Sequence, residues 1–251
     1  MMNQIHIPDL KKNIKNSGLV KGVWMMTVNP AFAEIACLLE IDFVVIDLEH
    51  GAITLTDLPH ILRGFRGNTA ALVRVPSSDP TLIARVLDRG AHGVMVPRVE
   101  TIEEARTVSD AAKYPPSGSR GIALPALRAS GYGLNPNYRT SADRDAIVII
   151  QIESSQALRA APEIAELPNV DALFLGPSDL SANLNLEGTQ NLSTFERTVD
   201  SFFDICKTKK ILSGTIVFGN YSEETLKSMG CNILVMGSDV SIMRSGLQAF
   251  K

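Results

Sequence analysis

Apolar, often β-branched runs recur along the chain at residues 23–26, 43–46, 71–75, 93–96, 147–152, 172–175, 213–217 and 233–236. Segments of helical period lie between them, the alternation expected of repeated βα units around a parallel sheet. Start and stop signals frame the helices. Asn29-Pro30 and Asp79-Pro80 set a capping residue before a first-turn proline. Thr101-Ile102-Glu103-Glu104 and Ser193-Thr194-Phe195-Glu196 read as capping boxes, and Gly90 and Gly230 stand where left-handed caps would close a last turn. Eight such units in 251 residues predict an α/β protein of the (β/α)8 TIM-barrel type. An open dinucleotide-binding sheet would show a glycine-rich turn after its first strand, and Trp24-Met25-Met26-Thr27 stands there instead.

One connection breaks the rhythm. Residues 114–144 include Pro115-Pro116, Gly118, Gly121, Pro125, Gly131 and Gly133 and are too many for a plain loop of a compact domain, so a lid or binding loop is expected.

The length fits one domain over 1–251, and 45% hydrophobic content supplies a sizeable core. A net charge of −3 argues against nucleic acid or an anionic membrane surface as the main partner. The pairs Lys11-Lys12 and Lys209-Lys210 are too short for basic arms and read as solvated faces. Cys37, Cys206 and Cys231 are odd in number, far apart and without Cys-x-x-Cys spacing, which suggests buried thiols in a reducing compartment. No signal-peptide pattern opens the chain, and no apolar run approaches the ~20 residues that span a bilayer. A soluble cytoplasmic protein is expected.

Catalytic groups of a barrel stand at the C-terminal ends of its strands. The second strand runs into Asp47, Glu49 and His50, the third into Arg74, the fourth into Pro97-Arg98, the fifth into Gln151 and Glu153, and the sixth into Ser178 and Asp179. Buried strands that stop at carboxylates imply a shared polar mouth and a ligand to collect them, because an unpaired buried charge is costly. Side chains alternate along a strand, so Asp47 and Glu49 share one side, as do Gln151 and Glu153. Barrel closure can then bring Glu153 and Asp179 within chelating distance. With water and an oxygen-bearing substrate they would form a hard-oxygen site suited to Mg2+ or Mn2+, and Co2+ also fits octahedral geometry. Singly, Glu153 could pair with an arginine and Asp179 could cap the helix that starts near Leu180. Together, at adjacent strand ends beside Gly176-Pro177, they favour a metal.

His50 follows Asp47-Leu48-Glu49, and a nearby carboxylate can fix a histidine tautomer and raise its basicity, which makes it a general-base candidate. His6, His60 and His92 read as structural. Arg74 ends an apolar strand and needs an anion, either a substrate oxygen or an internal partner in Asp47 or Glu49. Arg98 is a candidate entrance residue. Trp24, the sole tryptophan, serves core packing or a pocket wall. A Schiff-base aldolase needs a desolvated amine on a strand inside the barrel. The lysines all fall in termini, helices or the wrong end of a strand, which leaves a metal as the electrophile.

Several segments together carry a family resemblance. They are DFVVIDLEHG over 42–51, Val73-Arg74-Val75-Pro76, VMVPRVET over 94–101, Tyr114-Pro115-Pro116 with Arg120-Gly121, Gln151-Ile152-Glu153 and LGPSDLS over 175–181. Over about residues 22–243 the chain resembles the class II, metal-dependent pyruvate aldolases of the 4-hydroxy-2-oxoheptanedioate aldolase family, related to the citrate lyase β-subunit group. The resemblance implies a barrel in which Glu153 and Asp179 hold a divalent ion that pyruvate chelates through its carboxylate and keto oxygens. Gln151 and the amides around Ser178 would line the pyruvate pocket, His50 oriented by Asp47 would act as general base, and Arg74 would steady the enolate oxygen. Asp88 matches an acidic position linked to the histidine. Such proteins assemble as homo-oligomers that exchange the last helix, here 240–250, so a hexamer is implied. Leu48, Ser178 and Arg98 depart from residues common in relatives (glycine, alanine and, in some, an apolar residue), and these departures bear on the aldehyde partner.

The expected activity is reversible, metal-dependent aldol cleavage of a 4-hydroxy-2-oxo acid to pyruvate and an aldehyde. A chelated cation plus Arg74 would place positive charge where the enolate's negative charge develops, and a base would move the proton. The alternatives are a citrate-lyase-like or malyl-CoA-like lyase, which would need a basic groove for CoA phosphates, and a barrel that binds an oxo acid without turning it over.

Overall fold

A computed structural model describes residues 8–184 and 192–251. His6 lies outside them. Eight parallel strands close into a barrel in chain order: β1 (Val20–Met25), β2 (Phe43–Asp47), β3 (Ala70–Arg74), β4 (Gly93–Val96), β5 (Ile147–Ile152), β6 (Ala172–Leu175), β7 (Leu212–Ile216) and β8 (Ile233–Ser238). The helices are α1 (Leu10–Ser17), α2 (Pro30–Leu38), α3 (Leu58–Leu62), α4 (Pro80–Asp88), α5 (Ile102–Ala112), α6 (Tyr138–Asp145), α7 (Ser155–Ile164), α8 (Pro177–Asn183), α9 (Leu192–Lys209), α10 (Glu223–Ser228) and α11 (Asp239–Gln248). Each expected strand is present. β1 starts earlier than its apolar run because Val20 and Lys21 pair with Ile233 and Leu234 at the seam that closes the barrel.

Period-two alternation sorts the strand residues into two cores. Phe43, Val45, Leu72, Met95, Ile149, Phe174 and Val235 fill the barrel, whereas Val44, Ile46, Val73, Val94, Ile150 and Leu173 pack outward with the buried faces of the helices. The next inward positions on β1, β2, β3 and β5 are Trp24, Asp47, Arg74 and Gln151, so the layer above the apolar filling is where polar chemistry begins. The large rings are accommodated by inward glycines. A Cβ on Gly22 would stand 2.4 Å from the Phe43 ring, and one on Gly214 2.6 Å from Phe174.

The local signals mostly act as their chemistry dictates. Asp79 accepts from the Thr81 N–H, Thr101 and Glu104 form a reciprocal capping box, and Gly90 and Gly230 take positive φ after α4 and α10. Ser193 does not cap a helix. α9 already begins at Leu192, so Ser193 sits in its first turn and its carbonyl accepts from Arg197 Nε. Cys37, Cys206 and Cys231 are free, and burial pushes the thiols of Cys206 and Cys231 up to about 12 and about 11. His92 is buried, with Nδ1 accepting from the Ala71 N–H. Among the described residues no helix is long and apolar enough to cross a membrane.

Residues 114–144 form no lid over the strand C-termini of their own barrel. They connect a helix to the start of a strand, and such connections lie at the barrel's N-terminal end, opposite the C-terminal ends of the strands. There Arg120 is buried, its guanidinium stacked 4.5 Å over the Tyr114 ring and bonded to Asp88 Oδ1 at 2.7 Å. Arg128 donates to the Arg89 and Leu62 carbonyls. The segment is therefore a packed buttress. Lys113 lies at this end too, its amine buried against the Asp143 and Ala146 carbonyls and its pKa lowered to about 8 chiefly by desolvation. It has the desolvation that a Schiff-base lysine needs, at the wrong end of the barrel.

Replacing Gly22 with alanine is expected to destabilise the protein by about 1–3 kcal/mol, since Phe43 and its carbonyl must shift. A urea midpoint equal to that of the parent would show that the barrel interior has slack at this layer.

Candidate active site

The mouth is built on a register match. Asp47 and Arg74 are directly paired across β2 and β3. Arg74 donates to Asp47 from Nε at 2.8 Å and from Nη2 at 2.7 Å, and both side chains are buried. Nη1 lies 3.2 Å from Glu49, and the guanidinium sits 4.2 Å from the centre of the Trp24 ring. Trp24 in turn meets Phe174 edge-on. Arg74 therefore has the internal partners its sequence allowed, and it still borders the cavity. Trp24 supports it from below and also walls the cavity, so both readings of the tryptophan apply.

That cavity has a volume of about 610 Å³. Its wall includes Trp24, His50, Arg74, Gln151, Ser178 and Asp179, with Phe174, Ile216 and Val240 as apolar surface. A second, more polar hollow of about 380 Å³ shares His50 and Asp179 and adds Glu49, Arg98, Glu153 and Asn183. His50 and Asp179 thus stand on the divide. Gly176 leaves the space beside them, for a Cβ there would come 2.9 Å from Gln151 Nε2 and 3.2 Å from Glu153 Cβ.

Two expected relationships are not formed. Asp47 was expected to orient the His50 ring, but its oxygens are held by Arg74 and by the main-chain N–H groups of Glu49 and His50. The imidazole instead faces Glu49, with Nε2 3.7 Å from Oε2, and is 55% exposed. Asp88 does not approach His50 within this chain, because it ends α4 at the opposite end of the barrel and pairs with Arg120.

Sequence reasoning gave Glu49 only as a strand-end acid and possible partner of Arg74, and did not single out Asp239. Glu49 is buried between Arg74, Arg98 and His50, and its Oε2 has no hydrogen-bond partner. Alternation from Asp47 already placed it on the site side. Asp239 accepts from Met26 N–H, Thr27 N–H, Thr27 Oγ1 and Val240 N–H, which ties the end of β1 to α11 and shapes the cavity wall. It too follows a strand, and the strand-end rule could have found it.

A sequence model of the HpcH/HpaI aldolase/citrate lyase family matches residues 21–245. The chain belongs to this family. It is 36% identical over 238 residues to the 2-dehydro-3,6-dideoxy-6-sulfogluconate aldolase of Pseudomonas putida, covering 92% of this chain and 91% of that protein. It is 30% identical over 249 residues to the 5-keto-4-deoxy-D-glucarate aldolase of Enterobacter sp. (strain 638), covering 99% and 97%. The crystal structure of an HpcH/HpaI aldolase/citrate lyase family protein from Burkholderia cenocepacia J2315 matches with a TM-score of 0.88 at 28% identity, over 96% of this chain and 97% of that one.

Among the described residues of this HpcH/HpaI-family chain, no group of three or more His, Cys, Asp or Glu forms a complete metal cage. The donors present nevertheless fit a hard cation that keeps positions for substrate and water. Glu153 is lifted above the ordinary carboxylate range, first by burial and further by the charges of Asp179 and Glu49. The Arg98 N–H and Arg74 act the other way. Gln151 Oε1 and Glu49 Oε2 are buried oxygens without hydrogen-bond partners. A cation beside Glu153 would offset the carboxylate charge there and offer Gln151 Oε1 a partner, whereas Glu49 Oε2 already has Arg74 Nη1 at 3.2 Å.

Because Glu153 has a raised pKa, its charge weakens the metal-free fold at neutral pH. Glu153→Gln is therefore expected to melt higher than the parent in chelator at pH 7. As pH falls through the raised folded-state value toward the ordinary 4.5, the parent binds its proton in the folded state first and recovers stability, so the gap narrows. An equal or lower melting temperature at pH 7 would show that Glu153 is not under this strain.

Proposed function

We propose that this HpcH/HpaI-family enzyme catalyses reversible aldol cleavage of a 4-hydroxy-2-oxo acid to pyruvate and an aldehyde, using a divalent ion (Mg2+, Mn2+ or Co2+) held by Glu153 and Asp179. The observation that carries the reading is that Arg74, Gln151, Ser178, Asp179 and His50 border one cavity, while Glu153 and Glu49 meet Asp179 and His50 in the hollow beside it. Both named relatives are aldolases of keto-deoxy acids, which supports the substrate class.

When bound, the ion supplies Lewis-acid polarisation of the 2-oxo acid. The protein's own groups do the rest. Gln151 and the backbone around Ser178 orient the oxo-acid end. His50 takes the C4 hydroxyl proton, the C3–C4 bond breaks, and its electron pair passes into the enolate of pyruvate as the aldehyde leaves. Arg74, immobilised by Asp47 and Trp24, places fixed positive charge toward the enolate oxygen and need not reorganise as that charge grows. A proton returned to C3 completes pyruvate, and the reverse order makes the bond.

Pyruvate release from a 4-hydroxy-2-oxo acid is expected to stop with chelator and return with Mg2+ or Mn2+. Chelator-insensitive turnover would remove the ion's role, and no turnover on any such acid would leave a binding barrel. His50→Ala is expected to lower kcat by about 10²–10⁴-fold while KM moves little. A loss confined to KM would make His50 a binding group.

The same reading includes assembly through the last helix into a homo-oligomer, proposed as a hexamer. α11 carries Val240, Ile242, Met243 and Leu247 exposed, and Phe250 just beyond it is 88% exposed. Light scattering is expected to give a multiple of the chain mass that falls to the monomer in Leu247→Asp/Phe250→Asp. A monomeric parent at micromolar concentration would refute assembly.

A further inference from the structure

Among the described residues, Glu40, Arg98, Tyr132 and Lys210 have positive φ without being glycine. Glu40 and Lys210 follow the ends of α2 and α9, where a left-handed residue commonly terminates a helix, and Tyr132 lies between two glycines, Gly131 and Gly133, that also have positive φ. Arg98, at φ +56°, ends no helix. It follows β4 by way of Pro97 and borders the hollow that holds Glu49, Glu153 and Asp179. An L-residue in this conformation is strained, because its Cβ crowds the following carbonyl oxygen. Strain of this kind persists only where surrounding structure over-determines it.

The Arg98 side chain does not account for that strain. It is 70% exposed, and its contact with Glu49, 3.3 Å from Nη2 to Oε1, is an ion pair of the kind that contributes little at such exposure. The main chain does account for it. The Arg98 N–H donates to Glu153 Oε1 at 2.9 Å, while Gln151 Nε2 holds the other oxygen. Pro97 restricts the chain on one side, and Val99, fully buried, anchors it on the other. With one oxygen on the Arg98 N–H and the other on the Gln151 amide, the Glu153 carboxylate is fixed in the hollow that it shares with Asp179.

We propose that Arg98 is a positioning residue of the candidate cation site, its left-handed backbone aiming an N–H at Glu153 so that this carboxylate stays turned toward Asp179. The inference rests on Glu153 and Asp179 being the ligands of the ion. It assigns the work of Arg98 to its backbone and not to its charge, so side chains that tolerate the left-handed region should substitute for arginine.

Arg98→Asn and Arg98→Val test this in the full-length protein. Both remove the guanidinium and its pairing with Glu49, but asparagine enters the left-handed region readily and β-branched valine resists it. Mn2+ affinity, read by electron paramagnetic resonance on metal-stripped protein, is expected to stay within about threefold of the parent for Arg98→Asn and to weaken by about tenfold or more for Arg98→Val. Equal affinities of the two variants would overturn the proposal. Arg98→Thr, also β-branched, takes the place of the valine variant should that chain fail to show a cooperative melt. Glu153→Gln separates the two levels. Parent-like Mn2+ binding by that variant would remove Glu153 as a ligand and the proposal with it, whereas lost binding there with equal asparagine and valine variants would overturn only the role of Arg98.

Discussion

Asp47 and Arg74 meet in direct register at the top of neighbouring strands, and their buried two-pronged ion pair is the fixed point of the site. Neither charge could stand alone there. Removing one partner from a buried pair leaves an uncompensated charge and is strongly destabilising. Joined, they hold a guanidinium flat over Trp24, place its free edge against Glu49, and leave the main chain of residues 49 and 50 tethered to Asp47. Glu49 and His50 are held where they are because Asp47 is already engaged. The cavity-facing charge of Arg74 and the base candidate thus depend on a single contact between β2 and β3.

The two ends of the barrel divide the molecule's labour. Buried titratable groups occur at both, yet with different surroundings. At the N-terminal end, Arg120 is matched to Asp88, the Tyr114 ring and the Tyr138 hydroxyl, and Lys113 to the Asp143 and Ala146 carbonyls, so polar groups lock the 114–144 buttress to α4 and to the end of α5. At the C-terminal end, Glu153 is buried near Asp179 and Glu49, and Gln151 Oε1 lacks a hydrogen bond, as Tyr114 Oη does at the other end. Lys113, perturbed by burial but bonded to two carbonyls, is a structural element. Glu153 combines burial, two neighbouring carboxylates and a place at the strand ends, which makes it a ligand candidate.

Eight apolar runs and their spacing were enough to anticipate the barrel, because strand length, burial on both faces and βα alternation are local properties. The strand-end rule then selected Asp47, His50, Arg74, Gln151, Glu153 and Asp179, since position along a strand decides which end of the barrel a residue reaches. The 114–144 segment shows where composition misled. Its prolines and glycines suggested a lid, although a helix-to-strand connection lies away from the mouth. Asp88 does not reach His50 within its own chain for a related reason: an acidic residue at the end of a helix is carried to the far rim. Asp239 was passed over, and Glu49 was named only as a strand-end acid and possible partner of Arg74, because an acid's value depends on what faces it, and those partners come from other strands.

The sequence by itself determined that this chain is a (β/α)8 barrel and which residues crown its strands, because periodicity and chain order are written along one dimension. Only the tertiary structure decided that Asp47 binds Arg74 and not the His50 ring, that Glu49 joins Glu153 and Asp179, and that Arg98 turns its N–H toward Glu153. Those outcomes follow from strand register and barrel closure, which bring together side chains separated by up to about half the chain, and no local pattern encodes the angle at which they meet.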